Sequence, residues 1–133
     1  MNNEQKKMIL NGYRHLESEL NEKLNNYKEA RSKFTSIAAQ IMDDMPKAAP
    51  LTFDKLGEGL DRLETLKESY IKVLNERIRI DNAISELQNP IHRRIMTLRY
   101  VNSMIWEKIA IEINYSWTQT QHYHSEALKL IKL

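Results

Sequence analysis

The chain has 133 residues, with 20 Lys+Arg against 18 Asp+Glu, only 3 Gly and 3 Pro, and no Cys. So few turn-forming residues disfavour an all-β fold, which needs a turn every ~8 to 12 residues, and the expectation is an all-α chain: one compact domain, or a small domain joined to an extended one. The lack of Cys excludes disulfides, thiolate zinc sites and Cys nucleophiles; with no run of ~18 apolar residues and no signal-like start, neither a membrane span nor a secretory signal is expected, and the expected location is the cytoplasm.

From Ile9 the apolar residues run Ile9, Tyr13, Leu16, Leu20, Leu24, Tyr27, Ala30, Phe34, Ile37, Ile41 and Met45, in steps of three or four. This is the period of a helix, close to a heptad seam. Gly12 inside it costs about 1 kcal/mol relative to Ala, which so long a helix tolerates. The helix is expected to end near Met45, because Pro46 and Pro50 bracket the next link and each disfavours helix in the residue before it. Asp43-Asp44 at that end reads better as a solvated helix terminus than as a grip for a basic partner.

Thr52 and Asp54 are the expected N-caps of a second helix. Its stripe follows as Leu56, Leu60, Leu63, Leu66, Tyr70, Leu74, Arg77 with Ile78, Ile80, Ile84 and Leu87. Two long stripes joined by a short Pro-containing link predict an antiparallel helical hairpin or coiled coil over residues 1–88. Leftover apolar positions such as Phe34, Met42 and Val73 suit it to oligomerisation or partner docking, with a dimer favoured. The six Met residues are dispersed and read as core filler.

Asn89-Pro90 punctuates the chain, since Asn closes or caps a helix and Pro opens one at its first position. A second domain is expected over 89–133, with helices from Pro90 to Val101, about Trp106 to Ile113, and Ser116 to Leu133. Their inward faces are expected to be Ile91, Ile95, Leu98 and Val101; Trp106, Ile109, Ala110 and Ile113; and Thr120, Tyr123, Ala127, Leu130 and Ile131. Residues 1–89 carry 14 Lys+Arg and 15 Asp+Glu, whereas residues 90–133 carry 6 and 3. Three of the four His residues, His92, His122 and His124, also lie in the second part. Any field favouring an anionic partner is therefore concentrated there.

Asn114-Tyr115-Ser116 links the last two helices. Asn accepts the left-handed conformation of a tight turn, and Ser116 with Gln119 forms a capping box. Two helices joined by such a turn, with a small residue, Ala110, in the first, fit a helix-turn-helix, whose second helix enters the DNA major groove.

The stretch Arg94-Ile95-Met96-Thr97-Leu98-Arg99-Tyr100-Val101, with Trp106-Glu107-Lys108-Ile109-Ala110, Ile113-Asn114-Tyr115-Ser116 and Glu126-Ala127-Leu128, resembles region 4 of bacterial sigma factors. It is still more similar to the sigma-like helix-turn-helix of ArpU/RinA-type phage transcriptional regulators. The resemblance covers about 44 residues at the C-terminus. It implies a phage or prophage protein that binds double-stranded DNA in the bacterial host and controls late-gene transcription. Two positions depart from that pattern: Asn114 stands where family members usually have Gly, and Ile105 where a Ser or Thr cap precedes Trp106, so that Asn102 or Ser103 is the alternative cap.

Carried over residue by residue, the resemblance makes Trp117, Thr118, Gln121 and His122 the exposed head of the recognition helix, with Thr120 and Tyr123 turned inward. Gln can bind adenine bidentately and Thr can meet a base or a thymine methyl; His122 and His124 can contact phosphate or a base edge. Trp117 either packs on sugar or a thymine methyl or covers the core. Arg93, Arg94 and Lys129 are candidate phosphate contacts. The pattern also implies that Arg99 and Glu107 form a structural pair.

Gly-rich phosphate loops, a Gly-x-Ser-x-Gly elbow and His-Glu-x-x-His are missing from the sequence. His122 and His124 sit ~200° apart on a helix and cannot share a metal as i, i+4 neighbours could. No enzyme activity, cofactor or metal is expected. The alternatives are a DNA-packaging oligomer resembling a small terminase subunit, and an adaptor whose head grips RNA polymerase without touching DNA.

Overall fold

The computed structural model describes residues 1–43 and 49–133, with side chains from residue 54 onward in the second stretch. All regular structure among them is helical: α1 (Asn3–Asn11), α2 (Tyr13–Asp43), α3 (Ala49–Ser85), α4 (Pro90–Met96) continued by a π-helical turn (Thr97–Val101), α5 (Trp106–Ile113) and α6 (Trp117–Leu130). None of these helices is long and apolar enough to cross a membrane. The expected helix end near Met45, together with Asp44 and Pro46, lies outside the described residues.

The first stripe begins earlier than expected and is divided. Asn2 accepts from the Gln5 amide at 2.8 Å while the Gln5 side chain accepts from the Asn2 amide at 3.0 Å, a reciprocal cap that starts α1. At Gly12 the helix breaks, although the backbone stays right-handed at φ −69° and its N–H still reaches Met8 and Ile9. The expected caps Thr52 and Asp54 are inside α3, which is already formed at Ala49. Pro50 does not prevent this, because first-turn N–H groups have no helical acceptor and a Pro there forfeits nothing.

By contacts the chain divides into a unit of residues 1–17 with 75–133, and a second unit of residues 18–74. The junction expected at 88/89 is thus a helix boundary inside the first unit. In that unit Leu10 and Tyr13 share a core with Ile80, Ala83, Ile84 and Leu87 of α3 and its end, Met96 and Tyr100, and Ala127, Leu128 and Ile131. A second cluster, Ile95, Leu98 and Ile109, is covered by Ile91, Trp106 and Tyr123. Burying a residue such as Leu10 completely contributes about 1.5–3 kcal/mol, so the N-terminal turns are part of this unit's stability.

Polar contacts tie the same pieces together. The Tyr13 hydroxyl donates to Asp81 at 2.7 Å and accepts from Arg77 at 3.3 Å. Lys6 donates to the Leu128 carbonyl at 2.8 Å, placing a cation where the carbonyls of α6 run out of partners. Arg93 does the same after α3, donating to the Leu87 and Gln88 carbonyls at 2.6 and 3.0 Å.

In the second unit α2 and α3 meet where Phe34 covers Gly59; a Cβ on Gly59 would lie 2.7 Å from the ring. Contact between residues 25 positions apart, on helices joined by a short link, makes the pairing antiparallel and within one chain. Leu20, 6% exposed, is the one buried apolar residue among the described residues of this unit.

Candidate nucleic-acid interface

The turn between α5 and α6 follows from its residues. Asn114 closes α5 in the left-handed region at φ 60°, ψ 38°, a conformation Asn tolerates better than other side chains with a Cβ. Ser116 then caps α6: its hydroxyl accepts from the Gln119 amide at 3.1 Å, and Gln119 Oε1 accepts from the Ser116 amide at 3.4 Å. Thr120 and Ser116 are linked as well, the Thr120 hydroxyl donating to the Ser116 carbonyl at 2.8 Å.

The face of α6 that locks into the unit is Thr120, His124, Ala127, Leu128 and Ile131. It differs from the expected one in two places. Leu130 points outward at 61% exposure, because it lies ~200° round the helix from buried Leu128. His124 is 5% exposed and not on the solvent-facing side where a DNA contact is expected. Its Nε2 is hydrogen-bonded to the Tyr100 hydroxyl at 2.7 Å, and its ring meets Trp106 edge-on at 4.5 Å. Burial, then Lys7 and Arg99, lower its pKa to about 4, while burial pushes Tyr100 up to about 12. At neutral pH both are uncharged core groups.

The opposite face presents Thr118 and His122, while Trp117, on the stripe of Thr120 and His124, is 55% exposed at the first turn. Tyr123 is half-buried, stacked edge-on against Tyr115 at 5.2 Å. Gln121 is half-buried, with an enclosed amide nitrogen that has no partner. The His122 Nε2 lies 2.9 Å from Glu126 Oε1, and buried His92 Nε2 lies 3.1 Å from Glu126 Oε2. Glu126 is thus a bracket between an exposed and a buried imidazole. The spacing of His122 and Glu126, four residues apart on a helix, is the sequence signal that identifies this pair.

Arg93 and Arg94 border an open groove that also includes Ser85, Thr97 and Asn102. Arg93 is committed to the end of α3, whereas Arg94 makes an exposed ion pair with Glu112 at 3.3 Å, a contact of about 0–1 kcal/mol that a phosphate can displace. Lys129 is exposed in the last turn of α6.

The expected pairing of Arg99 with Glu107 is replaced by a different link. Arg99 donates to the Met104 carbonyl at 3.0 Å, and its guanidinium lies 4.8 Å over the Trp106 ring, while Glu107 is exposed. A planar cation suits an aromatic face better than a solvated carboxylate. Neither Asn102 nor Ser103 caps α5: it starts at Trp106 behind an extended Ile105 with no side-chain cap, and Ser103 turns the chain at φ 56°.

Among the described residues no three His, Cys, Asp or Glu side chains are grouped to hold a metal ion. Compared with protein-family models, with curated proteins and with solved structures, the chain gives no match.

Proposed function

We propose that the chain is a sequence-specific double-stranded DNA-binding regulator of phage type, controlling late-gene transcription in the host cytoplasm through a sigma-region-4-like helix-turn-helix. The observation that carries this reading is the division of α6. One face is held by Thr120, His124, Ala127, Leu128 and Ile131, the other offers Thr118 and His122, and Trp117 stands exposed at the first turn, just after a capped N-terminus. A rigidly seated helix with donors and acceptors in its first turns is what major-groove readout requires. Arg94 and Lys129 supply phosphate contacts, and Gln121 joins the readout once its amide turns outward. His122 held by Glu126 presents an imidazole in a fixed orientation.

The test is fluorescence anisotropy of the full chain with duplexes selected from a random library, at two salt concentrations. The expected complex weakens with salt, since phosphate neutralisation releases counterions, and His122→Ala or Thr118→Ala weakens it about tenfold. Absence of any complex at low salt contradicts the proposal. The second reading is an adaptor that docks on RNA polymerase; exposed Ile105 and Ile111, at 54% and 76%, favour it. Under that reading the two substitutions leave DNA binding unchanged.

A further inference from the structure

The second unit does not close its own apolar seam. On α2 the three-four series passes through Phe34, Ile37 and Ile41, and on α3 through Leu56, Leu60 and Leu63. Ile37 and Leu60 lie on these series, yet they remain 42% and 55% exposed, and their neighbours along each stripe are only half-buried. Two helices can cover each other's seam from one side only; a buried core needs three or four.

We infer that this face is the seat of a second copy of the chain, the two hairpins closing into a four-helix bundle. Two properties select an identical partner. The stripe on α2 runs from residue 18 to 43, on the order of 40 Å at the helical rise. An occupant must carry an apolar stripe of matching length, and a second hairpin does. Charge selects the same way: residues 18–74 hold 9 Lys+Arg and 10 Asp+Glu. With a net charge of −1 the segment offers no net attraction to a strongly acidic or basic partner, and two nearly neutral copies meet without net repulsion. A two-fold arrangement makes the patch self-complementary and closes the assembly at two chains. This inference rests on residues 18–74 and not on DNA binding by the other unit.

Sedimentation equilibrium of the full chain over a wide concentration range tests it. The expected mass is twice the 15.8 kDa of one chain. The double variant Ile37→Lys/Leu60→Lys is expected to raise the dimer Kd at least about 100-fold, since burying two charges in place of two apolar side chains reverses their contribution. Leu130→Lys, on the other unit, leaves the dimer intact. A monomer at every concentration, a larger ring, or a double variant that stays dimeric each overturns the inference. Because the chain has no native cysteine, a spin label on Ser36→Cys gives an independent reading. The inference requires an inter-copy coupling that vanishes on dilution with unlabelled chain, and fails if there is none.

Discussion

The hydroxyl of Tyr100 and Nε2 of His124 are 2.7 Å apart in the interior of the first unit, joining the π-helical turn after α4 to the middle of α6. Burial around this pair favours the neutral imidazole, in either tautomer. It therefore couples the seating of α6 to pH.

A folded-state pKa of about 4 against an ordinary 6.5 makes the neutral form the one the fold favours. The stabilisation is fully present above pH 6.5 and is lost as pH falls toward 4, because the unfolded chain takes up the proton first. The size is at most about 3 kcal/mol. Urea denaturation at pH 7 and pH 4.5 is expected to show a loss of this order. His124→Phe lowers stability at pH 7, through the stranded Tyr100 hydroxyl, but removes this part of the pH dependence. An unchanged pH slope in the variant contradicts the assignment.

Arg99 and Glu107 make a contrast that separates the observed link from the one expected. Arg99→Ala removes the stack on Trp106 and the bond to the Met104 carbonyl, and is expected to cost about 1–3 kcal/mol. Glu107→Ala, at an exposed position, is expected to stay within about 0.5 kcal/mol. Thermal unfolding of the two variants decides it; equal losses restore the Arg99–Glu107 pair.

The helical class, the Asn89-Pro90 start, the Asn114 turn and the Ser116–Gln119 cap were legible because each rests on local chemistry: periodicity, a fixed φ, or a side chain reaching its own backbone. What could not be read was tertiary. His124 is polar and three positions from buried Ala127, so only the Tyr100 hydroxyl on another helix makes its burial tolerable. Lys6 at the end of α6 and Leu10 in the shared core join residues 70 or more positions apart. No periodicity records such contacts, which is why the compact unit cuts across the expected boundary.

Leu10→Ala tests that unit. With Leu10 fully enclosed among α3 and α6 residues, its truncation is expected to cost about 2–5 kcal/mol. The amides of α6 are expected to lose hydrogen-exchange protection along with those of α1. Loss confined to the first turns indicates that the N-terminal segment is dispensable to the other helices.

The two glycines at the start of α3 are expected to respond differently to Ala. Nothing lies within 4 Å of a Cβ on Gly57, so Gly57→Ala gains the helix preference, about 1 kcal/mol. On Gly59 the new methyl meets the Phe34 ring at 2.7 Å and must displace it, which offsets that gain. Denaturant midpoints are expected to rise for the first variant and not for the second; a comparable rise in both shows that Phe34 does not rest on Gly59.

The division of α6 into a seated and a presented face is tested most directly by amide chemical-shift mapping of the full chain titrated with selected duplex DNA. Shifts are expected to concentrate on Trp117 to His122, with smaller changes near Arg94 and Lys129. Shifts that leave the start of α6 untouched, or none at all at low salt, contradict it.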